Sequence, residues 1–487
     1  MDNLASKISI DHRCSIPLGQ QLYNELYRLI LSKQIPAGTA LPASRHMAQL
    51  IKISRSTVVS TYEQLRLDGY VCGEGRNGTR VLPLKGEKDQ FDSSQPKKSP
   101  SYAADKLSIF AQSLLSQVVF NAARPNHEFD LYPWDLAWEE LPRRLWGREL
   151  EKLLQADNSC LFEYSAEPRG LPALRAAIAN HVKRSKGIAA SVDQVLIVSG
   201  WQQALDLIVR IHLNEGDIVA VENPSYPIAR RAFWACGAQI CPIDVDEDGM
   251  NIDQLMKIRP APKLVQICVS HQFPTGAILS ASRRLQLLKW AAECDSIIIE
   301  DEHDSDFRYT DHPVPALKTL DRLGSVITQG TFAKSFFPAL GLGFMIVPDR
   351  FIDVYSRAKA VTSEPVAAVI QQLVANLIDS GDFERHLKRM RGIYDERRRA
   401  LLAALEKHLG KRVEVFGETV GVHIMIRLES RLTSHEIVSA ASKAGVGLID
   451  TSAYYFDEPR QREFVLGYSK LSALQIEEAI RRFSRLI

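Results

Sequence analysis

Six short runs in this chain (195–198, 218–221, 264–269, 297–299, 326–327 and 344–347) are mostly apolar from residue to residue, without alternation. A strand with one wet face alternates; a strand apolar throughout must be covered on both sides. Amphipathic stretches separate the runs, so the pattern predicts a mostly parallel sheet with helices over both faces. Beyond about residue 361 the pattern changes. A long helical stretch, 367–408, precedes runs at 413–416 and 422–427 and a closing helix at 474–484, which predicts a smaller α+β part. The expected body spans 113–487, with a large α/β part to about 360 and a small C-terminal part after it. No internal repeat is present.

The chain ahead of this body has two textures. Over 83–112, Lys85, Lys88, Asp89, Asp92, Pro96, Lys97, Lys98 and Pro100 leave too little apolar surface to offset chain entropy, which predicts a flexible linker. Residues 1–82 are patterned instead. Leu18, Leu22, Leu26, Leu29 and Ile30 make one helical stripe, and Pro36-Ala37-Gly38-Thr39 ends it. Ser44 is placed as N-cap of a short helix, and Ser54 as N-cap of the next, whose inward face is Val58, Tyr62 and Leu65. Asp68-Gly69 stops that helix. Gly75-Arg76-Asn77-Gly78 then reads as a hairpin turn. Helix, helix, turn, helix, hairpin is the order of a winged helix-turn-helix, an α+β DNA reader.

Composition narrows the class further. At 487 residues the chain is too long for one core, and its 45% hydrophobic and 24% charged content is that of a soluble globular protein. Net charge is only +2, yet residues 1–82 hold ten Lys/Arg against six Asp/Glu, a local basic excess compatible with phosphate contacts. Seven scattered cysteines form no C-x-x-C pair, so neither a disulfide framework nor a metal site is expected. The N-terminus lacks a signal-peptide pattern, and no window approaches ~20 uninterrupted apolar residues. The expectation is a cytoplasmic protein without a membrane span.

In a helix-turn-helix the second helix presents its N-terminal residues to base edges in the major groove. Those positions are Arg55, Ser56 and Thr57, with Ser60 one turn on; Arg45, Arg76 and Arg80 are placed for phosphates or a minor groove. The wording Leu41-Pro42-Ala43-Ser44-Arg45 and Ser54-Arg55-Ser56-Thr57-Val58-Val59-Ser60-Thr61-Tyr62, followed by Gly69-Tyr70, closely resembles GntR-type winged helices. That resemblance implies double-stranded DNA as partner and a homodimer.

Residues 113–487 resemble the fold-type I aminotransferase body of MocR-type regulators, a GntR subfamily. Pyridoxal 5′-phosphate (PLP) chemistry needs an imine-forming lysine, a carboxylate at the pyridine nitrogen, an aromatic against the ring and donors for the phosphate. Lys334 in Gly330-Thr331-Phe332-Ala333-Lys334 matches the lysine, Asp301 the carboxylate, and Tyr226 of Glu222-Asn223-Pro224-Ser225-Tyr226 the aromatic. Gly200-Trp201-Gln202 opens a helix at the phosphate position, and Thr331 adds a hydroxyl. Ser270-His271-Gln272-Phe273-Pro274-Thr275-Gly276 is a loop typical of the subfamily, with Phe273 where transaminases tend to carry an asparagine.

The departures are specific. Gly341 stands where the family usually has a phosphate-binding arginine, Trp201 where it has a small hydroxylated residue, and His303 where it has a tyrosine near the ring oxygen. Losing one charge-assisted bond to an anion weakens PLP binding roughly tenfold to a hundredfold. Val465 occupies the position of the usual substrate-carboxylate arginine, with Arg460 and Arg462 nearby in sequence. The expected function is therefore a DNA-binding transcriptional regulator whose body senses PLP, or an amine or amino-acid effector, through a Lys334 imine. No catalytic residue is assigned. Two alternatives stand beside it: a regulator whose PLP-free body serves dimerisation or ligand binding, and an active aminotransferase with an appended DNA module.

Overall fold

A computed structural model of the chain describes residues 7–8, 10–11, 16–73, 78–83, 107–116, 126–155, 159–163, 167–310 and 315–487. They fall into two compact units, Met1–Tyr102 and Ala103–Ile487. In the first, helices α1 (Leu18–Leu31), α2 (Ser44–Ile51) and α3 (Arg55–Leu67) pack with a three-stranded antiparallel sheet of β1 (Ala40–Leu41), β2 (Val71–Gly73) and β3 (Thr79–Val81). The stripes read from the sequence meet in one core: Leu22, Leu26 and Leu29 of α1 bury against Val58, Tyr62 and Leu65 of α3. Full burial of each such side chain contributes about 1.5–3 kcal/mol.

Ser54 caps α3 as expected, its Oγ accepting from the Thr57 amide at 3.1 Å. Ser44 does not cap α2. Ala43 holds the cap position without a side-chain bond, and Ser44 is the first helical residue. The hairpin tip expected at Gly75-Arg76-Asn77-Gly78 lies at residues 74–77 largely outside the described residues, as do 84–106 of the expected linker. The tail of that linker is ordered as α4 (Ile109–Ser116), a segment rich in apolar side chains.

The second unit is built on an eight-stranded sheet. Its strands are β4 (Val195–Val198), β5 (Ile218–Asn223), β6 (Gln239–Asp246), β7 (Gly249–Met250), β8 (Leu264–Ile267), β9 (Ile297–Glu302), β10 (Val326–Thr331) and β11 (Gly343–Ile346). Their spatial order is β4-β11-β10-β9-β8-β5-β6-β7. Every pairing between β10 and β6 is parallel. Strand β11 runs antiparallel to both neighbours, and β7 closes the far edge as a hairpin partner of β6. All six apolar runs became strands. Strand β6 was missed because one of its faces is wet: Val245 and Ile243 are buried while Asp244 and Asp246 are exposed, so it alternates.

The expected long helix at 367–408 is two helices, α6 (Ala368–Asp379) and α7 (Asp382–Leu409). Gly381 between them sits at φ 74°, a left-handed conformation that ends a right-handed helix. A second sheet, β12 (Val413–Phe416), β13 (His423–Leu428), β15 (Glu463–Gly467) and β14 (Ile449–Asp450) in that order, is antiparallel throughout. The closing helix α8 (Ala473–Ser484) covers it through Ile476, Ile480 and Phe483. Among the described residues no helix is long and apolar enough to cross a membrane.

Candidate functional site

In the N-terminal unit, Arg45 and Arg55 are exposed at the starts of α2 and α3, and Ser56 and Ser60 are exposed along α3. Thr57 is different. It is half-buried, its Oγ1 lies 2.7 Å from Ser54 Oγ, and its methyl would sit 3.3 Å from a Cβ on Gly19 of α1. That hydroxyl is taken up by the cap of α3, and the methyl faces the bare backbone of Gly19. Ser56 Oγ also lies 2.8 Å from Ser54 Oγ, so Arg55 and Ser60 are the more available of the four. Arg80 anchors the sheet by donating from Nη1 to Gly38 O at 2.7 Å, and Arg76 lies outside the described residues.

In the larger unit a cavity of about 430 Å³ opens where β4, β5, β8, β9 and β10 end or turn. The carboxyl ends of strands are where open α/β sheets bind ligands. Gly200, Trp201, Tyr226, Asp301, His303, Thr331 and Lys334, the seven residues singled out for a cofactor, all line it, as does Gly341. Residues 134 positions apart in sequence thus share one wall.

The inner end of the cavity is a polar set. Lys334 Nζ donates to Pro133 O at 3.1 Å, and burial lowers the amine pKa against the opposing charges of Asp304 and Asp135. Lowering favours the neutral, nucleophilic amine. Asp301 ends β9 at 8% exposure with its Oδ1 buried and without a hydrogen-bond partner. His303 stands between two carboxylates, its Nδ1 3.7 Å from Asp301 Oδ1 and its Nε2 3.4 Å from Asp304 Oδ1. Burial alone would lower the His303 pKa; Asp304 and Asp301 outweigh it and hold it up at about 9, so the ring is cationic at neutral pH. Asp304 in turn is held well below the usual carboxylate range, since His271 and His303 overcome the cost of its burial.

The sequence had not singled out Asp304, nor two residues of the cavity wall. Glu222 lines the cavity with Oε1 buried and unpartnered, its Oε2 accepting from the Cys268 amide at 3.1 Å, and burial pushes its pKa up to about 8. Its signal was adjacency to the Asn223-Pro224-Ser225-Tyr226 turn. Trp134, also on the wall, had none, because it and its neighbour Pro133 lie far in the chain from the cofactor motifs.

The other end of the cavity is the N-terminus of α5 (Trp201–His212), entered through Gly200 at φ 105°, a conformation that favours glycine. The first amides of a helix have no acceptor within it and carry a partial positive charge. Ser199, Thr331 and Gly341 complete this end. Gly341 closes a short turn at φ 58°, and a Cβ placed there would meet nothing nearer than Ala339 O at 4.0 Å. Trp201 leans its ring on Tyr226, centroids 5.8 Å apart, and its Nε1 is buried without a partner. Phe273 stands edge-on to Tyr226 at 5.9 Å, continuing an aromatic wall. Val465 is fully buried within β15, and Arg462 spends its guanidinium on Ser430 O at 2.6 Å.

A PLP-sized group divides against this lining. The buried amine of Lys334 and the orphaned carboxylate oxygen of Asp301 fit an aldehyde and a protonated ring nitrogen. Among the described residues the far end offers helix amides and neutral hydroxyls but no basic side chain, and so does not fit a dianionic phosphate.

A winged-helix DNA reader joined to a fold-type I aminotransferase body is what these two units define. The aminotransferase class I and II family profile matches residues 139–483, and the bacterial regulatory protein gntR family profile matches residues 18–81. The probable rhizopine catabolism regulatory protein MocR of Rhizobium meliloti is 31% identical, covering 97% of this chain and 94% of its own length. The uncharacterized HTH-type transcriptional regulator YhdI of Bacillus subtilis is 32% identical over 97% of this chain and 96% of that protein. Among solved structures, the kynurenine aminotransferase of Pyrococcus horikoshii in complex with PMP superimposes with a TM-score of 0.68 at 29% identity, covering 74% of this chain and 90% of that one. The chain belongs to the MocR-type subfamily of GntR transcriptional regulators.

Proposed function

We propose that this regulator senses a carbonyl ligand, or an amine competing for that carbonyl, through Lys334, and passes the result to its DNA-reading unit. The observation that carries the reading is the pairing of a buried, pKa-lowered lysine with a buried aspartate oxygen that accepts no hydrogen bond and has only His303, at 3.7 Å, opposite it, in one cavity. Lys334 supplies a nucleophile that captures the carbonyl covalently; Asp301 supplies the negative charge that keeps a ring nitrogen protonated. An amine that takes the carbonyl from Lys334 returns a titratable amine to the cavity and changes its charge. Such a change biases DNA binding only by favouring one arrangement of the chain over another.

Aminotransferase-fold sites and paired operator half-sites both favour a homodimer as the working unit. Purified protein mixed with pyridoxal or with PLP should develop, with at least one of them, the absorbance band of a ring-conjugated carbon–nitrogen double bond, and Lys334→Ala should not. An unchanged band in that variant overturns the reading. A body without cofactor, used for dimerisation or other ligands, is favoured by Gly341 and Trp201; it predicts no band in either protein. Amino-group transfer finds no support in Val465 and Arg462, neither of which offers a clamp for a substrate carboxylate.

A further inference from the structure

We propose that the cleft takes an unphosphorylated heteroaromatic aldehyde, one with a protonatable ring nitrogen and a neutral tail, in preference to the corresponding phosphate ester. The proposal rests on Lys334 as the capturing amine and adds which ligand class the rest of the cavity accepts. Among the described residues lining the cavity, Lys334 and His303 are the only basic ones, against Glu222 and Asp301. Both are committed elsewhere. Lys334 must be neutral to react, and His303 is held between Asp301 and Asp304, at the ring end.

The α5 end must therefore balance a phosphate with amides and hydroxyls alone. A phosphate monoester carries roughly −1.5 to −2 charges at neutral pH, whereas a helix N-terminus supplies about half a positive charge. Ser199 has already turned its amide and Oγ to Gln203 Oε1, at 2.6 and 3.1 Å. Thr331 Oγ1 accepts from the Ala333 amide at 3.0 Å. The indole of Trp201 adds apolar bulk and a single uncharged donor where an anion would need charge. A hydroxymethyl tail needs only neutral partners and brings no charge to be compensated. Space is not the obstacle, since the position of Gly341 is open around its Cβ direction, although its left-handed φ of 58° puts a modest backbone strain on any other residue, equal for both aldehydes; the missing element is a cation.

The covalent step is the same for either tail. The neutral Lys334 Nζ adds to the aldehyde carbon, its two hydrogens leave with the carbonyl oxygen as water, and a C=N bond replaces C=O. No oxidant or reductant takes part.

The test titrates the full-length protein with pyridoxal and with PLP, reading the C=N absorbance band, with Lys334→Ala as blank. Each dissociation constant is normalised to the same aldehyde's constant with butylamine, which removes their different intrinsic reactivities. After normalisation, pyridoxal is expected to bind at least as tightly as PLP. Gly341→Arg should then tighten PLP by roughly tenfold or more while leaving pyridoxal within about threefold. Trp201→Ser, which opens the same end without adding charge, should move PLP less than Gly341→Arg does. A PLP preference beyond experimental error in the unaltered protein overturns the proposal, as does a Gly341→Arg variant whose ratio does not move. If neither aldehyde gives a Lys334-dependent band, the carbonyl-capture reading beneath the proposal falls with it.

Discussion

The DNA-reading unit and the cleft of the body were assembled in opposite ways. The winged helix draws its core from one short stretch of chain, within residues 8–81, in which Leu22, Leu26, Val58 and Leu65 meet after short turns. The cleft gathers Pro133, Gly200, Tyr226, Asp301 and Lys334 from strands and loops spread over some two hundred positions. A local unit keeps or loses its parts together. A dispersed site can change at one end and hold at the other, and in the proposed function this one does: Lys334 and Asp301 would serve a ligand's ring, while Trp201 and Gly341 line the end at the start of α5.

Substitutions in the two regions should separate cleanly, and their failure to do so breaks the comparison. The largest effect is expected from Asp301→Asn, which keeps shape and removes charge. Loss of a charge-assisted bond of about 1.5–3 kcal/mol should weaken aldehyde capture roughly tenfold to a hundredfold, measured by the C=N band, with ligand-free DNA affinity unmoved. Arg55→Ala is its mirror. Removing an exposed arginine at the start of the recognition helix should cost about 1–3 kcal/mol in affinity for a selected duplex and relax the sequence preference there, leaving aldehyde capture intact.

A smaller, pH-dependent effect belongs to Glu222. Burial raises its folded-state pKa to about 8, above the ordinary value of a glutamate in the unfolded chain. The folded protein then holds a proton that the unfolded chain gives up, so this group's contribution to stability is full below about pH 4.5 and is lost as pH rises through about 8. Glu222→Gln removes that loss. Urea titrations at pH 5 and pH 8.5 should show the variant gaining on the unaltered protein at the higher pH. An equal difference at both pH values would count against a buried, neutral Glu222. The smallest effect is expected from Ser54→Ala: loss of the α3 cap should cost about 1 kcal/mol, confined to unfolding of the N-terminal unit.

The same contrast explains what the sequence made legible. Helical stripes, the Ser54 cap and both-face apolar runs are local signals, and the elements they announce are present. Strand β6 was lost because its wet face made it alternate, and the break at Gly381 because a single glycine within a helical pattern is often tolerated. In the cleft, residues tied to a motif were found, including the departures at Trp201, His303 and Gly341. The electrostatics were not readable. That His303 is held cationic between Asp301 and Asp304, or that Glu222 is buried with an unpartnered oxygen, depends on strands brought side by side by the sheet. That the Thr57 hydroxyl sits 2.7 Å from Ser54 Oγ likewise depends on the folded cap, which the sequence does not display.

The central claim is that chemistry at Lys334 reaches the DNA-reading unit. It is tested most directly by measuring the affinity of the full-length protein for a duplex selected from random sequence, with and without saturating aldehyde, in the unaltered protein and in Lys334→Ala. The account predicts that aldehyde shifts the affinity of the unaltered protein by roughly fivefold or more, the range of ordinary coupling energies, and leaves Lys334→Ala unmoved. An unaltered protein whose affinity does not change while Lys334 is fully modified, or a variant that responds equally, would contradict it.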